Sequence, residues 1–350
     1  MVGRAAVALD IGSAQIKIVE MRRGNPPRLV RYQLSPTPRG AVEGGVVNRP
    51  DDLHQALRDA WKAGRFRRRR AVTTITGQNL LFRHVEFPPM PRHEVQHAVR
   101  WQFNRFFQLP YEEALVDHWV LPSVKPGDPV RVAVVAVPKQ PVFQFLGHVR
   151  EAGVFPDGLD MEALAVFRSV LLATPDAATG TTALLDLGAG ATNLSIFHQG
   201  VLQAIRVLPV GGNHLTRAIM AGMRVDYYQA EAAKLRTGLD LEDREISGYL
   251  LPVRDRLFSE VTRTLNFYLA EHRDQLLDYV AMVGGGALLE GIVPQLGQFV
   301  SEAVNRVGKE FKVELGNPLK HLAGPFDKDQ LNAIGPVLGV AVGLALGRIR

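Results

Sequence analysis

Ala5–Glu20 reads AAVALDIGSAQIKIVE, and Thr182–Phe197 reads TALLDLGAGATNLSIF. Each stretch is an apolar run closed by an aspartate, Asp10 or Asp186, with a glycine two residues on and a second, alternating run behind it. A short Val/Leu/Ala run bounded by glycine and polar residues predicts a buried strand. Gly12, Gly188 and Gly190 permit a tight turn and let backbone N–H groups come close to a ligand. Successive amides pointing into such a turn form a nest for an anion. A carboxylate at the strand end repels a bare phosphate, so the pattern calls for an intervening cation such as Mg²⁺, held directly or through water. Two such hairpins facing each other would clamp the phosphates of a nucleotide from both sides.

A third stretch, Val283-Gly284-Gly285-Gly286-Ala287-Leu288-Leu289, follows in order. The set resembles the actin-like ATPase superfamily, and within it most closely the PilM family of type IV pilus assembly proteins, relatives of the FtsA family of cell division. Asp10-Ile-Gly-Ser13 through Lys17 is similar to the first phosphate motif of that superfamily, and Asp186 through Thr192 to the second. The stretch from Val283 to Leu289 is similar to its adenosine motif. One Asp-x-Gly alone is weak evidence; the ordered set of three, with the segments between, covers nearly the whole chain.

The resemblance implies an α/β, actin-like ATPase fold of two ribonuclease-H-like domains with an FtsA-like inserted subdomain, closing on ATP and Mg²⁺. The implied units are 1–87 with 156–180 and 325–350, an inserted unit 88–155, then 181–225 with 278–324, and a helical unit 226–277. Asp10 and Asp186 would contact Mg²⁺ directly or through water; alone, each could equally be a turn-capping aspartate. Gly12, Ser13 and Ala14 would serve the β-phosphate, with Lys17 where the family often has a phosphate-facing lysine. Gly188, Ala189, Gly190 and Thr192 would hold the γ-phosphate. Gly284, Gly285 and Gly286, with Leu289 behind them, would lie against ribose or adenine where a helix begins. Glu231 and Lys234, three apart on one helix face, match a ribose- and adenine-contacting position, the alternative being a surface ion pair. Glu162 sits where relatives carry a water-orienting residue. Ala189 stands where actin has an acidic residue, so tight binding with slow hydrolysis at most is expected. No dinucleotide fingerprint and no Gly-x₄-Gly-Lys-Ser/Thr loop is present.

At 350 residues, 46% hydrophobic and 22% charged, the chain has room for two domains and a large core. It has no cysteine, which excludes disulfides, thiolate metal sites and a cysteine nucleophile. The N-terminus lacks the apolar core of a secretion signal. The stretch Ala333–Gly347, broken by Gly335, Pro336, Gly339 and Gly343, falls short of the roughly 20 residues of a membrane span and predicts a buried helix packed closely on a neighbour. The net charge is +6, with a local run Arg65-Phe66-Arg67-Arg68-Arg69-Arg70. That run suits an anionic membrane face or a solvated turn better than nucleic acid, since no aromatic platform accompanies it.

Along the chain, strands are predicted at Ala5–Asp10, Gln15–Arg22, Arg28–Leu34, Ala71–Thr76 and Leu80–Phe87, with a loop over Pro36–Val47. Asp51 or Asp52 should cap a helix carrying Leu53, Leu57 and Trp61. The inserted unit should have helices at Arg92–Phe107 and Pro141–Ala152 around strands at Tyr111–Leu121 and Val130–Val137. Helices are expected at Asp160–Leu172, Asn213–Met223, Asp226–Thr237, Ile246–Gln275, Leu288–Val304 and Asn332–Arg350, and a strand at Tyr279–Val283.

His93-Glu94-Val95-Gln96-His97 fits the His-Glu-x-x-His zinc pattern. The apolar stripe Val95, Val99 and Phe106 lies on the other side of that helix, so the histidines should face solvent or a partner, with Trp101 on the same outward face. No third ligand follows in register, which argues against zinc hydrolysis.

The resemblance implies a cytoplasmic ATP-binding scaffold of a pilus, secretion or competence platform at the inner membrane. Its partner would be the N-terminal tail of a PilN-like bitopic membrane protein, bound between the first and inserted units, with a motor or platform protein and a second copy as further candidates. Gly343–Arg350 stops without an amphipathic helix, so membrane attachment would come through the partner. Two other classes compete: an actin-like filament former of the FtsA type and a small-molecule kinase of the same superfamily. Nucleotide-dependent pelleting would mark the filament; an acceptor pocket with an aspartate base, for which no clear candidate exists, would mark the kinase.

Overall fold

The computed structural model describes residues 5–75, 80–122, 127–239, 244–304 and 311–349. Thr76 and Arg350, the ends of two expected elements, lie outside them. The alternating runs of the first quoted stretch fold as β1 (Ala5–Ile11) and β2 (Gln15–Arg22), an antiparallel pair that sets Asp10 opposite Lys17 and Ile11 opposite Ile16. β3 (Arg28–Pro36) continues the meander. The expected loop over Pro36–Val47 contains a two-residue pair, β4 (Val42–Glu43) and β5 (Val46–Val47), turned by Gly44 and Gly45 at positive φ.

Helix α1 (Pro50–Ala63) starts one residue before the expected aspartate cap. Pro50 opens it, since a first-turn residue needs no N–H partner, and Asp51 and Asp52 instead sit in the first turn, where their charge suits the helix dipole. Next come β6 (Arg70–Ile75), β7 (Leu81–Phe87), α2 (Arg92–Phe106), β8 (Ala114–Val120), β9 (Val130–Pro138) and α3 (Lys139–Glu151). β7, β9 and β8 make a separate three-stranded sheet whose core with α2 holds Val85, Phe87, Val95, Val99 and Phe103. On α2 the buried face is Val95, Val99 and Phe103; His93 and His97 point outward and Trp101 is 91% exposed.

A strand not expected from the sequence, β10 (Phe155–Met161), pairs in parallel with β6 and delivers the chain to α4 (Glu162–Ala173). Pro156, Asp157 and Gly158 are poor strand formers, and the pairing shifts register between Pro156 and Gly158. The expected helix therefore begins at Glu162 rather than Asp160.

The second half repeats the plan with β11 (Thr181–Leu187), β12 (Thr192–His198), β13 (Val201–Leu208), α5 (Gly212–Met223), α6 (Tyr227–Thr237), α7 (Arg244–Glu271), β14 (Leu277–Val283), α8 (Ile292–Val304) and β15 (Lys312–Leu315). Sheet order is β3-β2-β1-β6-β10 in one half and β13-β12-β11-β14-β15 in the other. In each, an antiparallel meander is followed by two parallel strands on the far side of its first strand. The sequence repeat is thus a structural repeat.

The stretch expected as one terminal helix is three pieces: α9 (Lys328–Ile334), a 3-10 turn at Pro336–Leu338, and α10 (Gly339–Ile349). Pro336 makes the break, because it has no N–H for a helical bond; Gly335 before it keeps helical backbone angles. α10 and α4 share a core with Ala6, Ala8, Leu184, Phe197, Ala281 and Val283, which come from both large sheets. A Cβ at Gly343 would collide with the Ala165 carbonyl, so only glycine lets the two helices approach this closely. Phe167 of α4 stacks on Phe197 of β12 at 3.9 Å and 4°. Among the described residues no helix is long and apolar enough to cross a membrane.

Candidate functional site

The two repeated hairpins meet tip to tip. A Cβ built at Gly190 would come within 3.2 Å of Ser13 Oγ, so the two loops face each other across a narrow gap. Behind them opens a cavity of about 360 Å³, within the size range of small-molecule and cofactor sites.

Strand pleating decides which side chains enter it. Asp10 and Lys17 share the cleft face, and so do their counterparts Asp186 and Asn193 in the second hairpin. Thr192 pairs with Leu187 and corresponds to Ile16, a core residue. Accordingly Thr192 is fully buried and donates its hydroxyl to the Val210 carbonyl at 2.7 Å. The expectation that Thr192 holds a phosphate is corrected: its side chain lies on the opposite face of the pleat. Every other residue singled out from the sequence lines the cavity: Asp10, Gly12, Ser13, Ala14, Lys17, Glu162, Asp186, Gly188, Ala189, Gly190, Glu231, Lys234, Gly284, Gly285, Gly286 and Leu289.

Within the loops the roles divide. The Gly12 amide donates to the Gln15 carbonyl at 2.9 Å and the Gly188 amide to the Ala191 carbonyl at 3.1 Å, so both are spent closing their turns. The cavity is left the tip residues Ser13, Ala14, Ala189 and Gly190. Thr37 clasps the first loop, donating its hydroxyl to the Gly12 carbonyl and its amide to the Ala14 carbonyl. The start of α5 clasps the second: the amides of Gly212 and Asn213 donate to the Gly188 and Ala189 carbonyls at 3.0 and 2.8 Å. Neither loop is free to relax when a ligand enters, which is the preorganisation an anion site needs.

The floor carries three carboxyl groups against one ammonium. Lys17 Nζ lies 2.8 Å from Asp10 Oδ2. Burial works against the Lys17 charge, but Asp10 and Asp186 outweigh it and raise its pKa. Asn193 donates to Glu162 Oε1 at 2.5 Å. Burial, then the charges of Asp186 and Asp10, pushes the Glu162 carboxyl well above its ordinary range. Asp186 is also raised by burial, against the pull of Lys17. The arrangement is short of positive charge, and its donors are hard oxygens of the kind that Mg²⁺ takes. Among the described residues the His/Asp/Glu trio whose ligand atoms lie within 4.8 Å of one another is elsewhere. Of the three carboxyl groups, Glu162 and Asp186 hydrogen-bond each other while Asp10 is paired with Lys17, so a cation would meet Asp10 and Asp186 directly or through water.

On the far wall, Gly284 has φ +89° and its Cβ would run into Asp186 Oδ1 and, at 2.6 Å, the Leu187 carbonyl. Gly285 and Gly286 open a 3-10 turn, Gly285–Leu288, and α8 begins only at Ile292, after Gly291 at φ +82°. The expected helix from Leu288, and with it a helix N-terminus at the glycines, is therefore corrected; bare backbone lines the wall. Lys234 is buried, donating to Glu231 Oε2 at 2.7 Å and Thr216 Oγ1 at 3.0 Å. The Glu231–Lys234 pair, with Lys234 buried and Glu231 half-buried, braces α6 against α5 through Thr216.

Asn193 escaped the sequence reading, although the repeat could have shown it as the counterpart of Lys17. Tyr227 and the partly exposed Leu235, which also line the cavity, carried no motif, and Leu288 entered only as part of the Val283–Leu289 stretch.

With this geometry established, comparison with known proteins is decisive. The sequence model of the family described as type IV pilus assembly protein PilM matches residues 8–349. The chain belongs to that family. It superposes on a solved PilM–PilN type IV pilus biogenesis complex with a TM-score of 0.84 at 30% identity, covering 99% of this chain and 98% of that one. The cell division protein FtsA of Bacillus subtilis is 25% identical over 257 residues, which is 66% of this chain and 58% of FtsA. FtsA of Pseudomonas aeruginosa is 27% identical over 189 residues, 47% of this chain and 44% of that protein. The chain thus spans about half the length of the curated relatives it matches. MreB5 of Spiroplasma citri, solved with AMPPNP, shares the fold alone, with a TM-score of 0.56 at 14% identity over 98% of this chain and 95% of that one. This family member has the actin-like ATPase fold that its sequence resembles.

Proposed function

We propose that the protein is an ATP-binding scaffold of a type IV pilus or related assembly platform, and that it binds the cytoplasmic N-terminal tail of a PilN-like membrane protein. The observation that carries the nucleotide half is the opposition of Ser13 and Gly190 across a cavity floored by Asp10, Asp186 and Lys17. Backbone at both loop tips would receive the phosphates, and Asp10 and Asp186 would hold Mg²⁺, in part through water. When bound, the metal would supply charge neutralisation at the β- and γ-oxygens. Gly284–Gly286 and the apolar rim at Leu235 and Leu288 offer a slot for a flat base against the Glu231–Lys234 brace. Partner binding is supported by likeness to a family structure described as a PilM–PilN complex.

Turnover should be slow. A water-activating base must be ionised near neutrality, and burial beside two aspartates raises the pKa of Glu162 and so works against its ionised form. Ala189 contributes no acid. The protein would work in the cytoplasm and reach the inner face of the membrane through its partner. ATP would close the cleft and favour the peptide-binding arrangement. Titrating synthetic tails of PilN-like proteins, with and without Mg-ATP, tests this reading. Tail binding strengthened by Mg-ATP is expected; equal affinity in both conditions would remove the coupling, and no binding would remove the partner.

A further inference from the structure

Away from the cleft, α1 and α3 lie side by side and share a core through Leu53, Leu57, Val149 and Ala152. They bring three metal-ligand side chains to one point: His54 from α1, and His148 and Glu151 one turn apart on α3. His54 Nε2 lies 3.3 Å from Glu151 Oε2, and His148 Nδ1 lies 3.6 Å from the same oxygen. The three ligand atoms are all within 4.8 Å of one another. Both nitrogens are buried and neither has a hydrogen-bond partner; His54 as a whole is only 8% exposed. The rings stand 5.5 Å apart at 41°, tilted rather than stacked.

A buried imidazole nitrogen normally finds a partner, and two orphans aimed at one carboxylate oxygen point to a missing third party. Ligand atoms about 2.0–2.1 Å from a tetrahedral zinc ion stand roughly 3.4 Å from each other, a separation that falls between the 3.3 and 3.6 Å found here. Two imidazoles and a carboxylate suit Zn²⁺ with a fourth position left to water. The Glu151 side chain, 64% exposed, provides the entry path. We propose that His54, His148 and Glu151 form a zinc site that staples α1 to α3. α3 runs from β9, the middle strand of the small sheet, into β10 of the first large sheet. The bound ion would therefore fix the exit of the inserted sheet against the nucleotide-binding half.

The exposed His93–His97 pair on α2, where His93 Nε2 lies 3.8 Å from Glu94 Oε1, is the rival location. The test uses the full chain, stripped with chelator and titrated with Zn²⁺ by calorimetry, with Co²⁺ absorption as a report on coordination geometry. One equivalent of Zn²⁺ should bind. Glu151→Gln, at an exposed position, and His148→Gln, at a half-buried one, should each weaken binding at least about tenfold while leaving circular dichroism unchanged. Zinc should raise the unfolding midpoint of the parent chain and not that of Glu151→Gln. The double variant His93→Gln/His97→Gln should bind as the parent does. No uptake of zinc, or uptake that survives Glu151→Gln and His148→Gln, would overturn the site.

Discussion

The guanidinium carbon of Arg39 stands 4.7 Å above the ring centroid of Tyr227. Arg39 follows β3 in the first half and Tyr227 opens α6 in the second, so this contact spans the mouth of the cleft. The Tyr227 hydroxyl also donates to Asn213 Oδ1 at 3.1 Å, which ties the latch to the loop-clasping start of α5. An exposed cation–π pair is worth about 0.5–1 kcal/mol. Arg39→Ala and Tyr227→Ala should each weaken ATP binding by about two- to fivefold. The double variant should be little worse than either, because both remove the same contact. A calorimetric double-mutant cycle checks this, and full additivity would show that the pair does not help hold the cleft shut.

Glu162 should leave a signature in the pH dependence of stability. Its folded carboxyl titrates above the 4.5 of a free glutamate. Between 4.5 and the folded value the native state holds the additional proton, so its contribution to stability falls as pH rises through that window and is fully lost above it. Glu162→Gln keeps the shape and carries no proton to lose. Without ligand it should match the parent protein near pH 4.5 and below, then become the more stable of the two as pH rises. At neutral pH Glu162→Gln should remain the more stable of the two. Thermal unfolding of both proteins from pH 4 to 8, a range that spans the start of the window, reads it out, and parallel curves would contradict the assignment.

Lys17 separates stability from binding. Lys17→Met leaves Asp10, only 6% exposed, as a carboxylate without its cation, at a cost of about 1–3 kcal/mol. Adding Asp10→Asn removes that orphaned charge, so the double variant should recover most of the lost unfolding free energy in urea. ATP affinity should stay low in both, because neither restores the charge the phosphates meet.

Much of this was legible in the sequence because the repeat constrains both halves at once. Asp10 and Asp186 could be set side by side before any coordinates, and the register Asp10↔Lys17 and Asp186↔Asn193 follows from the same pattern. Thr192 was misplaced because a motif names residues without their side of the pleat; comparison with buried Ile16 resolves it. β10 was missed since Pro156 and Gly158 argue locally against a strand, and only pairing to β6 overrides them. α1 and α3 meet through the fold, so no linear pattern could have joined His54 to His148 and Glu151.

The adjacent glycines 284 and 285 make opposite demands and so distinguish architecture from recognition. At Gly284 a methyl group meets both a positive φ and the Asp186 side chain and Leu187 carbonyl. Gly284→Ala should therefore cost about 2 kcal/mol or more, from backbone strain and overpacking together. At Gly285 a Cβ would meet nothing within 4 Å and the φ is ordinary, while the residue lines the cavity. Gly285→Ala should leave the urea midpoint almost unchanged, yet weaken ATP by about tenfold if the base lies against this backbone, since a methyl group inserted into a close contact is poorly tolerated. A Gly285→Ala protein that binds ATP as the parent does would move the base off this wall and return the three-glycine stretch to a purely structural turn.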